Sequence, residues 1–284
     1  MTAPKPHRPL AVRAINGAGA GLRRLGVPLL PLAEEPLLRA ARKQTGLADF
    51  GGEEFREGLR RLLDSLNEDA QLNVLGRISA RTTLLSNLRN RLQLQHHRER
   101  HPQVAEQAIH QPLFILGLPR TGTTVLFNLL ALDPANRAPL AWEVEHPCPP
   151  PREESYRSDP RIAVMEKQFA NLLRMAPNLY AIHEFGAELP QECVAITGHE
   201  FLSVQFHIIF NVASYQEWLN RQSAVPALRF HKRFLELSEI EVDAGQENTA
   251  VGDVLRVDPT VELDGVAGLE QLTSHAEVVP ICDS

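Results

Sequence analysis

The chain has 284 residues, of which 43% are hydrophobic and 23% are charged, and its net charge is −6. This length suits one large domain or one domain with an accessory part. No apolar run approaches the ~20 residues of a membrane helix, so we expect a soluble protein without a membrane span. Cys148, Cys193 and Cys282 lack metal-ligand spacing and are odd in number, which favours a reducing compartment, the cytoplasm.

The N-terminal region, residues 1–111, is predicted to be helical. Basic residues precede the first acid, Glu34, as in a transit peptide, but the stretch runs directly into helical periodicity, which favours a helix. Apolar stripes predict one helix near residues 37–41 and another near 55–63. A third, with Asn67 as N-cap, is predicted to reach "HHRERHP", whose histidines we interpret as a solvated helix end rather than metal ligands.

An α/β region is predicted from Pro112 onward. Residues 113–116 form a short apolar run typical of a buried parallel strand, and a second strand is predicted at 138–141. Proline-rich loop follows, then a helix from Pro190 to about residue 210, which would place His199 and His207 on one face. Another helix is predicted from Ser223 through Phe234.

The connection after the first strand has the spacing of a phosphate-binding loop. Gly117 is followed by four residues, then by Gly122, with threonines where the lysine and hydroxyl residue normally stand. Backbone N–H groups, the helix dipole and the hydroxyls of Thr121, Thr123 and Thr124 would bind an anion, and Arg120 would supply fixed charge. Without the lysine, NTPase chemistry is disfavoured. A strand-helix turn that binds nothing is the simpler alternative.

The stretch "PLFILGLPRTGTTVLFNLL" resembles the 5′-phosphosulfate loop of sulfotransferases that use 3′-phosphoadenosine-5′-phosphosulfate, in the bacterial-type branch with Pro-Arg-Thr-Gly-Thr-Thr. "TGLADFG", "LRNRL" and the segment from "AELPQEC" to "HKRFL" support the resemblance. It implies an α/β, P-loop-like nucleotide-binding fold with an N-terminal helical region. It also implies sulfuryl transfer to a hydroxyl or amine of a small molecule or lipid, without a metal. The donor-binding residues would be Arg120, Thr121, Gly122, Thr123 and Thr124.

Sulfuryl transfer also needs a base that takes the proton of the acceptor. The resemblance places a glutamate about twenty residues after the loop, where Glu143 is nearest and Glu145, two residues further and on the same side of an extended chain, is second. The alternative is that these two acids form a solvent-facing pair. His183 is a third candidate, although a histidine beside Glu184 is more often structural. The predicted catalytic set is therefore Glu143, Arg120 and His183.

The sequence changes character after Leu237. Residues 238–284 contain 11 acidic residues and one basic residue, Arg256, whereas residues 1–237 contain 24 acidic and 28 basic residues. "VLRVD" and "TVELD" alternate weakly, as in strands. With few large apolar groups, this tail is predicted to be flexible, or at most a loose hairpin at 251–266. The predicted divisions are therefore 1–111, 112–237 and 238–284.

The strand and the arginine and serine residues that hold the 3′-phosphate in the second half of the family are not recognisable after residue 237. We therefore expect an incomplete sheet with an exposed edge, and exposed apolar faces around Leu228 and Phe234, which would favour a homo-oligomer. No nucleic-acid partner is expected. Two other functions stay open: a truncated, inactive relative acting at most as a binding partner, and a P-loop nucleotide phosphotransferase.

Overall fold

The computed structural model describes residues 10–24, 30–109, 111–117, 121–181, 183–239 and 277–283. Eleven α-helices and three β-strands lie within these ranges. None of the helices in them combines the length and the apolar character needed to cross a bilayer.

Four helices make up the N-terminal region: α1 (Leu10–Arg24), α2 (Glu34–Thr45), α3 (Phe55–Glu68) and α4 (Val74–Arg100). The helical prediction is thus confirmed for this region, but the predicted start of the third long helix is wrong. Asn67 belongs to the last turn of α3, and its side chain donates to the Leu32 carbonyl at 2.9 Å. Asn73 caps α4 instead, because its side chain accepts from the Gly76 amide at 2.8 Å.

The largest core cluster joins these helices to residues from much later in the chain. Leu38, Leu59 and Leu88 are fully buried in it together with Phe201 and Tyr215. α3 comes very close to the later segment at Gly58, where a Cβ atom would lie 2.3 Å from the Phe201 carbonyl oxygen. A glycine is therefore required at this contact, and the N-terminal region is part of one core with residues 201–219.

Seven helices follow: α5 (Thr123–Leu130), α6 (Ala141–Glu145), α7 (Pro160–Met175), α8 (Cys193–Thr197), α9 (Gln205–Ile209), α10 (Ala213–Leu219) and α11 (Val225–Glu239). The helix predicted near Ser223 is confirmed as α11. The single helix predicted from Pro190 to residue 210 is wrong. The chain turns at Phe201, which has a φ of 56°, so His199 and His207 lie on separate elements. His199 is buried and His207 is exposed.

Within the described residues the sheet has three strands, β1 (Leu113–Gly117), β2 (Asn136–Arg137) and β3 (Glu277–Asp283), in the order β1-β3-β2. Both described strand pairs, β1 with β3 and β2 with β3, are antiparallel. The predicted parallel arrangement is therefore wrong for these pairs. The second strand lies just before the predicted 138–141. Ile115 is the one buried residue of β1, whereas Phe114 and Leu116 are 41% and 46% exposed. The reason is that, in the described chain, other elements pack against only one face of this strand.

The central strand β3 comes from the acidic tail. It is not one of the two strand patterns seen in the sequence, and the hairpin predicted at 251–266 lies outside the described residues. Tail flexibility therefore stays a prediction. The prediction of an exposed face around Phe234 is wrong, because Phe234 is 1% exposed and packs with Phe230 and Leu94. Exposed apolar side chains lie elsewhere in the described chain, for example at Val125 and Leu129 on α5 and at Ile208 on α9.

Candidate functional site

The turn between β1 and α5 has the tight geometry that its glycines suggested. A Cβ atom at Gly117 would lie 2.6 Å from Thr123 Cγ2 and 2.9 Å from Thr121 Oγ1, so both threonines lie close to the end of β1. Gly122 has a φ of 92° and precedes the first turn of α5, whose leading N–H groups have no partner within the helix. Such a turn can bind an oxyanion through backbone N–H groups.

The structure brings the loop threonines together at this turn. Thr121 and Thr124 are exposed and Thr123 is half-buried. Their hydroxyl groups add donors to those of the backbone. Arg120, the predicted cation of the loop, lies outside the described residues, so its position relative to the threonines stays a prediction.

A carboxylate that the sequence analysis did not select lies against this loop. Thr124 Oγ1 donates to Glu192 Oε1 at 3.3 Å. The backbone before Glu192 is held by the Gln191 amide, which donates to the Pro139 carbonyl at 2.8 Å, and by a β-bridge between Leu140 and Pro190. Sequence spacing could not identify this contact, since the two residues are 68 positions apart.

Glu143 is not a solvent-facing acid. It is 2% exposed, and its two oxygens accept from Arg137 at 2.7 and 3.0 Å and from the Leu140 amide at 2.6 Å. The last of these bonds caps α6, and the Tyr156 hydroxyl also hydrogen-bonds the carboxylate. The carboxylate is therefore saturated by hydrogen bonds, which is the arrangement of a buried structural ion pair.

Glu145 points away from Glu143. The two residues lie on the short helix α6, not on an extended chain, so side chains two positions apart face different directions. The Glu145 carboxylate hydrogen-bonds Ser86 and lies near Arg89, both of which belong to α4. Burial raises the pKa of Glu145, although both neighbours act to lower it. The prediction that Glu143 and Glu145 share one side is therefore wrong.

His183 is exposed, and its described contact is an edge-on packing against the Phe185 ring, with centroids 5.1 Å apart. Within the described ranges, no hydrogen bond joins either His183 or Glu143 to the loop threonines. The candidates thus lie in three separate environments, and Glu192 is the carboxylate with a described contact to the loop. In the same ranges, no group of three or more His, Cys, Asp or Glu residues could hold a metal ion.

The turn, the strand before it and the helix after it define an α/β protein with a strand-turn-helix geometry suited to an oxyanion. Comparison with known proteins gives a family match for this part of the chain. Residues 112–241 match the family model described as "Sulfotransferase family". No curated protein matches the chain.

Two solved structures are similar to the chain. Sulfotransferase STF1 from Mycobacterium tuberculosis H37Rv is 34% identical over 72% of this chain and 57% of its own, with a TM-score of 0.64. Sulfotransferase STF9 from Mycobacterium avium is 28% identical over 74% of this chain and 55% of its own, with a TM-score of 0.66. The chain therefore spans little more than half the length of either protein.

These findings support the predicted resemblance: residues 112–241 match the sulfotransferase family, and both similar structures are bacterial sulfotransferases. The predicted α/β class, with a P-loop-like sulfotransferase fold, an N-terminal helical region and an incomplete sheet, is confirmed.

Proposed function

We propose that the protein is a sulfotransferase that moves the sulfuryl group of 3′-phosphoadenosine-5′-phosphosulfate to a hydroxyl, or an amine, of a small molecule or lipid. The observation that carries the proposal is the close approach of Thr121 and Thr123 to Gly117 just before α5, a geometry that suits one anion. It lies inside the segment that matches the family. The donor is a co-substrate, and the proposal needs no metal.

In this proposal the loop residues Thr121, Gly122, Thr123 and Thr124 hold the 5′-phosphosulfate with Arg120. Arg120 also stabilises the negative charge on the oxygen that leaves with the phosphate. Hydroxyl and N–H donors suit a phosphosulfate, whereas the carboxylate of Glu192 beside Thr124 opposes an anion. Donor binding would therefore require Glu192 to release the Thr124 hydroxyl.

Calorimetric titration with adenosine 3′,5′-bisphosphate, the product form of the donor, tests the loop assignment. We expect saturable binding and little binding of ATP. Arg120→Ala should weaken binding strongly, because a charge-assisted contact is worth about 2–3 kcal/mol, and Thr124→Ala should weaken it less. Arg39→Gln, an exposed change on α2, is the control. Parent-like affinity in Arg120→Ala would show that the loop is not the donor site.

The base is assigned to Glu143, with Glu145 and His183 as the alternatives, and all three remain proposals. Glu143→Gln should lower turnover by about 10²- to 10⁴-fold while donor binding persists, if this residue takes the proton. Its hydrogen bonds favour a structural role instead, so Glu192→Gln and His183→Gln belong in the same series. Sulfuryl exchange between 4-nitrophenyl sulfate and adenosine 3′,5′-bisphosphate is a suitable assay. The variant that loses exchange but keeps nucleotide affinity identifies the base.

A truncated, inactive relative that acts at most as a binding partner is the second candidate, favoured by the Glu192 carboxylate beside Thr124, which opposes an anion at the loop. An inactive relative would bind the donor poorly or not at all and would give no exchange in the same assays. A nucleotide phosphotransferase, the third candidate, would instead bind ATP. The outer edge of β1 would support a homo-oligomer, and a monomer in light scattering at micromolar concentration would exclude it.

A further inference from the structure

A cleft of about 450 Å³ lies away from the loop, between the end of α4 and the proline-rich segment after α6. One wall carries His96, His97 and Arg100 of α4, and His101 and Gln103 continue it. The opposite wall consists of Pro149, Pro150 and Arg152. The volume lies within the range of small-molecule sites.

Every ionisable residue among the eight that line the cleft is basic. Glu99, the acid next to Arg100, accepts from Gln95 at 2.9 Å and is not part of the lining. A helix C-terminus favours positive side chains, which accounts for the residues of α4. It does not account for Arg152, which another segment brings to the same space. The cleft therefore has basic side chains on two walls.

The histidines of the cleft are close enough to affect one another. The rings of His97 and His101 stack with centroids 4.4 Å apart and an interplanar angle of 29°. Burial, followed by the positive charges of His101, His96 and Arg100, lowers the pKa of His97. The local potential is thus positive even at a half-buried side chain, and an anion in the cleft would reduce this repulsion.

We propose that this cleft is a second anion site, which takes a small molecule bearing a phosphate or sulfate ester. Arg100 and Arg152 supply charge-assisted donors for the ester oxygens, and the ring N–H groups of the histidines supply further donors. The stacked imidazoles and the prolines provide flat surfaces for the organic part. The site is independent of the donor loop.

The test is titration of the full chain with phenyl phosphate and with inorganic phosphate, followed by calorimetry and by the ring resonances of His97 and His101. We expect saturable binding of phenyl phosphate with shifts of both rings. Arg100→Gln should weaken it about tenfold, consistent with the loss of one charge-assisted contact. His97→Ala should remove the preference for phenyl phosphate over inorganic phosphate. Binding of inorganic phosphate alone at comparable affinity would point to free phosphate, not an ester, and would overturn the proposed ligand class.

Thr124→Ala and Arg39→Gln are the controls, because the donor loop could also bind phosphate. Neither change should alter binding in the cleft. Binding that is lost in Thr124→Ala but kept in Arg100→Gln would place the anion in the loop and overturn the second site while supporting the proposed function. Unshifted rings of His97 and His101 would also overturn it. Cleft binding with no nucleotide binding at the loop would support this site and count against the proposed function.

Discussion

The ion pair between Arg137 and Glu143 gives the sharpest test of what Glu143 does. Replacing Glu143 with Gln removes the negative charge but keeps the shape, and it leaves the Arg137 guanidinium in an environment where the residue is only 9% exposed. Breaking a buried pair from one side costs about 3–5 kcal/mol. That is a large fraction of a total stability of roughly 5–15 kcal/mol.

Urea unfolding followed by far-ultraviolet circular dichroism measures this loss. With a slope of about 3 kcal/mol per molar, the midpoint of Glu143→Gln should fall by about 1 M or more. Glu184→Gln, which changes an exposed carboxylate, should leave the free energy of unfolding within about 0.5 kcal/mol of the parent value. Replacing Arg137 with Met and Glu143 with Leu together should recover part of the loss, since no unpaired charge remains.

The structural interpretation of Glu143 would be refuted by a variant that unfolds at the parent midpoint. If that variant also lost sulfuryl exchange, Glu143 would be the base despite its hydrogen bonds. A lower urea midpoint together with parent-like sulfuryl exchange in the folded fraction would exclude Glu143 from proton transfer. The two measurements on one variant thus separate the structural role from the catalytic one.

Three further predictions concern other parts of the molecule. Burial lowers the pKa of His231 to about 4, so the unfolded chain binds more protons between about pH 6.5 and 4 and stability falls as the pH drops. Between pH 7 and 5, the free energy of unfolding of His231→Phe should therefore fall by roughly 2 kcal/mol less than that of the parent, as measured by urea unfolding. Equal decreases in the two proteins would contradict this. Burial raises the pKa of Cys148 to about 12, so iodoacetamide at pH 8 should label it slowly until urea is added, as mass spectrometry would report. Ending the chain after residue 276 removes β3 and should speed amide exchange across residues 113–117, whereas unchanged exchange would mean that β3 does not hold β1.

The local features of the chain could be predicted from the sequence. Gly117, Gly122 and the threonines identified the loop because turn chemistry depends on residues adjacent in the chain. The helix periodicity identified α2 and α3 for the same reason. The predicted helix boundaries were wrong where two sequence signals competed. Asn67, for example, has the residue type of a helix cap but lies inside α3, where its side chain hydrogen-bonds the Leu32 carbonyl.

The remote pairings could not be predicted. The contact of Glu192 with Thr124 depends on how residues 187–191 dock beside residues 139–142, which no periodic pattern encodes. The partner of Glu143 was missed although Arg137 is only six residues away, because an ion pair between a strand and a short helix has no fixed spacing. A functional role for Glu143 was inferred from its position in the chain, whereas its burial and partners are properties of the packing.

The position of β3 in the chain also determines when β1, the strand that leads into the loop, can pair. Leu113 of β1 pairs with Ile281, which is 168 positions later in the chain. Closing so long a segment carries a large entropic cost, and contacts of this range slow folding. During synthesis the helices of the N-terminal core leave the ribosome long before the strand that separates β1 from β2. A nascent chain would thus have its helical core in place while the strand leading into the loop still lacked a neighbour, exposed to chaperones or to the same strand of another chain.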